Sequence, residues 1–192
     1  MALPVDLDPG SYDGTYKLIG GALALDFANL VSYRGTSRHH DWLEPASNAE
    51  RWRRAVGLHA PITSGSDRFV ELRELLAGIF LAVADGTSPA PAGVDRVGRL
   101  AAHSWTRRTL RLARDAHVAA WTDPAPSMLD ELVRDAASLL TSGAGMSRVA
   151  ACEGCRWVFL DATRNRSRRW CDPADCGNRA RQRRHYQRRR RT

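Results

Sequence analysis

Between residues 66 and 85 apolar side chains recur every third or fourth position: Phe69, Leu72, Leu76, Ile79, Phe80 and Val83. That spacing puts them on one face and predicts an amphipathic helix, with Ser64 or Ser66 as its cap and Gly86 as its stop. A second helix is predicted over 127–142. Leu129, Leu132, Val133, Ala136 and Leu140 form its apolar face, Ser127 and Asp130 match a capping box, and Gly143 and Gly145 end it at a natural boundary. Residues 22–32 read as a buried helix after Gly20–Gly21, carrying Leu23, Phe27 and Leu30 on one side, with a strand as the competing reading. A short helix over 48–56 puts Trp52 and Val56 together and stops at Gly57, and residues 94–105 are helical again. Over 107–122 the period changes to two. Leu110 and Leu112 alternate with Arg111 and Ala113, Arg114–Asp115 breaks the run, and Val118 and Ala120 resume the alternation, which is a hairpin pattern. Residues 33–47 and 87–93 read as loops, and residues 1–15 as a loosely packed arm. Of the six tryptophans, Trp42, Trp52, Trp105 and Trp121 are expected in the core, with a ligand cage as the alternative.

The fold class is therefore mainly α, with a minor β component in a small hairpin. At 192 residues the chain holds one domain, or one domain and a small module. No run approaches the ~18–20 apolar residues of a membrane span. The N-terminus has no basic region followed by an apolar run, so a secretory leader is not expected and the cytoplasm is the expected compartment. Charge changes the picture more. The formal net is +8, yet residues 148–192 hold fourteen arginines against Glu153, Asp161, Asp172 and Asp175, while residues 1–147 are slightly acidic. A near-neutral body carrying a basic segment suits a polyanionic partner.

The four cysteines lie in that same segment as Cys152-x2-Cys155-x15-Cys171-x4-Cys176. A C-x2-C pair lets two thiolates reach one ion from a tight knuckle, and a second pair completes a tetrahedral set. Four soft ligands with no open position suit one structural Zn2+ per chain. A disulfide is disfavoured in the cytosol, a redox C-x2-C has no need of Cys171 and Cys176, and the spacing matches neither ferredoxin pattern. Residues 156–160 and 168–170 read as two short strands, with a turn at Thr163–Asn165, and a helix opens at Cys176-Gly177-Asn178. That order is treble-clef-like. The module is too small for a core of its own, so zinc is expected to staple it. The reading divides the chain into 1–145 and 146–192, and a Cys155→Ser change is expected to melt the second part only.

The terminal helix is basic on two faces, one bearing Arg179, Arg183, Tyr186 and Arg190, the other Arg181, Arg184, Arg188 and Arg191. Such a helix cannot bury both faces, but it can lie in a major groove with arginines toward phosphates and guanine edges. Asn178, Arg179, Arg181 and Gln182 are candidates for base contacts. Arg168, Arg169, Arg183, Arg184, Arg188, Arg189 and Arg190 are further nucleic-acid-binding candidates, with the terminal arginine run toward phosphate. RNA, non-specific nucleic acid and a protein partner stay open as alternatives, and an aromatic face of Trp157, Trp170 and Tyr186 would favour RNA.

At Cys176-Gly177-Asn178-Arg179 the sequence resembles the CGNR zinc-finger family. The resemblance extends through the cysteine pairs, Trp157-Val158-Phe159-Leu160-Asp161, Arg164-Asn165 and Arg168-Arg169-Trp170-Cys171. Gly21, Leu25-Asp26-Phe27-Ala28-Asn29, Asp41, Leu43, Trp52, Gly57 and Leu58 resemble the ABATE domain that commonly precedes this finger. The resemblance implies a stress-responsive bacterial transcription regulator whose finger and helix bind DNA.

No P-loop, G-x-S-x-G or H-E-x-x-H motif is present, and no catalytic constellation supports an enzyme. His39-His40-Asp41 with His59 reads as a polar loop. Asp26 and Asn29 are the polar pair in an apolar run. With Arg34 they either line a ligand pocket or satisfy backbone groups in the core. A homodimer and a small-molecule effector fit the reading, and nothing in the sequence demonstrates either.

Overall fold

Contrary to the expectation of a loose arm, the described part of the arm is packed against the body. The computed structural model describes residues 3–62, 66–112 and 117–190. In it Leu3–Pro4 (β1) pairs antiparallel with Lys17–Leu18 (β2), and Val5 and Leu7 are buried. Asn48 ties the arm down: its Oδ1 accepts from the Asp8 N–H at 2.9 Å and its Nδ2 donates to the Asp8 carbonyl at 2.8 Å. The tie comes from forty residues away, beyond the reach of any local pattern.

The apolar run after Gly21 forms a helix only over Leu23–Ala28 (α1). Before it, Asp26 Oδ1 accepts from the N–H groups of Ile19 and Gly20 at 2.9 and 2.7 Å, which folds the entering chain back on the helix. A Cβ at Gly20 would stand 2.8 Å from the Asp26 nitrogen, so this close approach requires glycine. After α1 the chain extends, and Val31–Ser32 (β3) pairs with His40–Asp41 (β4), so the helix expected through Ser32 gives way to the competing strand and the expected 33–47 loop carries its partner. Ser47–Ala55 (α2) follows. Its Trp52 is fully buried and donates to Tyr16 Oη at 3.1 Å, and Tyr16 Oη donates to the Asp26 carbonyl at 2.5 Å.

The periodic segments become Ser66–Ala84 (α3), Pro91–Thr106 (α4) and Met128–Thr141 (α5). Phe69, Leu72, Leu76, Ile79 and Phe80 are all buried, as the α3 stripe requires. Ser64 lies outside the described residues. The α4 helix begins at Pro91, inside the expected 87–93 loop, because proline is well suited to a first turn. Between α4 and α5, Thr109–Leu112 (β5) pairs with Ala119–Thr122 (β6), the expected hairpin, with Arg114–Asp115 outside the described residues. Ser127 occupies the N-cap position of α5 but makes no side-chain cap, and Asp130 turns instead to Arg107. The glycines after α5 do not open a linker, since Gly143–Met146 forms a further turn of helix (α6) capped by Ser142.

The remaining strands differ from expectation in their pairing. Val149–Ala151 (β7) pairs with Val158–Leu160 (β8), and the Cys152–Cys155 knuckle is the turn between them. Residues 168–170 form no strand; the Arg169 carbonyl instead accepts from Glu153 N–H at 3.1 Å. The outer edge of β8 is closed by the body of the protein. Asn29, 1% exposed, takes both backbone groups of Val158, accepting from its N–H at 2.7 Å and donating to its carbonyl at 2.9 Å. The Gly20 carbonyl accepts from Leu160 N–H at 2.8 Å. An open ribbon edge is thus finished by groups that precede it by over a hundred residues. One hydrophobic core runs from Phe27 and Leu76 through Val158 and Phe159 to the four cysteines. The finger is built into the body, with no separate core of its own.

Asp26 makes this core sensitive to pH. Burial pushes its carboxyl from the ordinary 3.8 up to about 6, against the hydrogen bonds from Gly20 and Ile19. The folded chain therefore holds a proton that the unfolded chain releases between those values, and stability falls as pH rises through that window, by roughly 3 kcal/mol in full. Asp26→Asn keeps the acceptor oxygen and cannot ionise. Its stability relative to the parent is expected to rise by about 2–3 kcal/mol between pH 4 and pH 7 in urea denaturation. A difference that stays flat across that window would show that burial does not penalise the charge.

Candidate metal centre and basic helix

The knuckle explains its own sequence. Gly154 N–H donates to Cys152 Sγ at 3.4 Å, and a Cβ at Gly154 would lie 3.3 Å from Cys176 Sγ, so the turn stays close only without a side chain. Arg156 leaves it at φ 66°. The second pair arrives on a bend and on the first turn of Cys176–Arg189 (α7). The Gly177 N–H donates to the Asp172 carbonyl at 3.1 Å, and the Ala174 N–H to Asp172 Oδ1 at 2.8 Å, which closes the Cys171–Cys176 loop.

All four sulfurs lie within 4.8 Å of one another, and the cysteines are 0–4% exposed. Cys155 and Cys171 Sγ are 3.5 Å apart, too far for a disulfide and close to the ~3.8 Å that tetrahedral Zn–S bonds of ~2.3 Å impose. Four buried thiolates this close repel one another, so they need a positive ion between them. Cys152, Cys155, Cys171 and Cys176 form the binding site of one structural zinc. His39, His40 and Asp41 do not form a second centre. His40 stacks on Tyr12 with ring centroids 4.3 Å apart, and Asp41 is held bidentately by the buried Arg73 at 2.6 and 2.8 Å.

The structure divides the basic candidates. Arg168 lies over the Phe159 ring at 4.1 Å and donates to the carbonyls of Trp170 and Cys171. Arg169 pairs with Glu153 through two bonds of 2.6 Å. Arg179 is half-buried and pairs with Asp175. These three hold the finger together. Cys176, Gly177 and Ala180 seat the first turn of α7, and from Arg181 to Arg190 every residue is exposed. Arg181, Gln182, Arg183, Arg184, Arg188, Arg189 and Arg190 stand on about 14 Å of projecting helix, with Asn178 exposed at its base. Trp157 is 5% exposed and donates to the Val31 carbonyl at 3.1 Å, so it makes no stacking face with Trp170 and Tyr186.

Asp26, Asn29 and Arg34 do not come together as a ligand site. Asp26 and Asn29 bond to backbone as described, and Arg34 donates to the Ala28 carbonyl and pairs with Glu74. A cleft of about 820 Å3 opens elsewhere, between α3, α4 and the start of α5, with Leu72, Leu75, Leu100 and Leu129 below and Arg68, Arg96, His103 and Arg107 on its walls. Sequence reasoning missed that cleft, since its lining comes from three separate helices. It also missed two links that aim the finger. Tyr33 N–H donates to the Cys155 carbonyl at 2.8 Å, and Lys17 Nζ pairs with Asp172 at 2.5 Å. The one sequence signal for the second is that Lys17 is the sole lysine among the basic residues.

A helical body with a four-thiolate finger built into its core, and an arginine helix projecting from the last zinc ligand, defines the class: a zinc-finger protein. Residues 148–189 match the CGNR zinc finger, and residues 21–143 match ABATE, described as "Putative stress-induced transcription regulator". The chain belongs to the ABATE family and carries the CGNR finger after it. No curated protein matches the chain. No helix among the described residues is long and apolar enough to cross a membrane.

Proposed function

We propose that the chain is a cytoplasmic DNA-binding transcription regulator and not an enzyme, with zinc structural and α7 laid on duplex DNA. Residues 1–145 sense a signal or self-associate. The observation that carries this reading is the exposure of α7 on every side from Arg181 onward, on a base locked by Cys176. A helix of this width enters a ~12 Å major groove, and arginines on opposite faces then reach both phosphate walls. Asn178, Arg181 and Gln182, nearest the anchored end, are the candidates for base edges, and Arg183, Arg184, Arg188, Arg189 and Arg190 those for phosphate. The cleft, where Arg96 and Arg107 pair with Glu71 and Asp130 of the same lining, offers the sensing part a place for a small effector.

The deciding experiment is selection from a randomised duplex pool with the zinc-loaded full chain at physiological salt. An enriched motif supports the reading. Retention without enrichment reduces α7 to an electrostatic anchor and turns the search to RNA, and no retention overturns the reading. With five or six phosphates neutralised, the slope of log K against log salt is expected to be roughly −4 to −6, and Arg190→Ala should make it about one unit shallower. A slope near zero would remove nucleic acid from the account.

A further inference from the structure

The β5–β6 ribbon is amphipathic with its apolar side uncovered. Its register pairs Leu110 with Trp121 and Leu112 with Ala119, which places these four side chains on one face. Thr109, Arg111, Ala120 and Thr122 share the other, where the Thr109 and Thr122 hydroxyls meet at 3.0 Å. Such alternation belongs to a ribbon covered on one side. Here Leu110 is 56%, Leu112 72% and Trp121 48% exposed. Trp105, expected with Trp121 in the core, is 43% exposed and packs edge-on against it with ring centroids 5.3 Å apart, extending the face onto the end of α4. A two-stranded ribbon standing alone in water is marginal, and among the described residues no third strand joins this one.

We propose that this face is a homodimer interface, covered by the same face of a second copy across a two-fold axis. This deepens the self-association part of the reading above and is independent of what α7 binds. Three observations select a second copy. The apolar side chains expose on the order of 500 Å2 per copy, so two copies bury about 1,000 Å2, the lower bound for a specific interface and the range of a reversible one. Charge at the rim is mixed: Arg108 and Arg134 lie over Trp105 at 4.9 and 5.8 Å, and Asp123, Asp130 and Glu131 act on Arg134. Two copies can therefore meet without a field of one sign between them. The edge-on packing of Trp105 against Trp121 joins the end of α4 to the ribbon in one continuous apolar face. A two-fold contact also doubles each substitution.

The test is sedimentation equilibrium of the zinc-loaded full chain from about 1 to 300 µM without nucleic acid, the span in which an interface of this size dissociates. A monomer–dimer equilibrium with a micromolar midpoint is expected. Leu112→Asp, at a side chain too exposed to matter for the monomer's fold, should weaken it at least tenfold, and Leu110→Asp should repeat that result. Arg111→Ser, on the opposite face, should leave it within twofold. A parent chain that stays monomeric throughout, or a dimer that both aspartates leave intact, overturns the proposal. Because the measurement contains no DNA, its failure leaves the reading of α7 standing.

Discussion

Removing zinc with a chelator is expected to unfold the whole chain in one transition. The loss of helical circular dichroism should coincide with the exposure of Trp42 and Trp52, which lie in the body of the protein and are 1% and 0% exposed. Zinc contributes roughly 10–16 kcal/mol to folding in small finger peptides, against a total stability of about 5–15 kcal/mol for an ordinary domain. The size of the first number matters here because the finger is not a detachable appendage. Without the metal, the knuckle that turns β7 into β8 loses its closure. Val158 and Phe159, 2% and 0% exposed, are packed in the same core as Phe27 and Leu76. Releasing them opens the inner surfaces of α1 and α3 to water, and each large apolar side chain so exposed costs about 1.5–3 kcal/mol. The separate melting of residues 146–192 expected from the sequence assumed two cores, and the structure has one. Cys155→Ser should reproduce the chelator result at neutral pH. Two resolved transitions, with helix signal surviving zinc loss, would show that the body stands alone.

Asn29→Ala should cost about 2–5 kcal/mol in equilibrium denaturation, which is large for one exchange on a short polar side chain. Asn29 lies on the turn after α1 and does for β8 what a third strand would do. It accepts from Val158 N–H and donates to Val158 carbonyl. Truncation leaves both groups buried and unpaired, each at roughly 1–3 kcal/mol. Asn29→Asp should be no better, since a carboxylate can accept from the Val158 N–H but cannot donate to its carbonyl, and it brings a charge into a site 1% exposed. A pocket-lining residue would behave in the opposite way, because removing a polar group kept for a ligand leaves stability unchanged or improved. A loss under about 1 kcal/mol would mean that the Val158 groups find other partners.

Both expectations turn on contacts between distant residues, and there the sequence was least informative. The α3 and α5 helices were legible because burial of one face repeats at the helix period within a single window. The hairpin of β5 and β6 was legible from its period of two. The pairing of β7 with β8 was not. Residues 156–160 and 168–170 look equally strand-like in isolation, and the choice depends on whether the knuckle or the longer loop makes the turn. The packed N-terminal arm escaped notice for a similar reason: its order comes from Asn48, in another element. Among the arginines, composition marked a polyanion surface but could not distinguish Arg168, engaged with Phe159, from Arg183, exposed to solvent.

The sequence by itself determined the zinc ligands, the place of the basic helix and the helical character of the body. Cysteine spacing, charge runs and helical periodicity are local, and local geometry is written in consecutive residues. Only the tertiary structure decided that the finger shares the body's core, that Asn29 closes a strand edge, and that Trp42 is buried while Trp121 is exposed. Those outcomes depend on which surfaces meet after the elements form. A side chain's solvation and hydrogen-bond partners belong to that meeting and not to its neighbours in the chain.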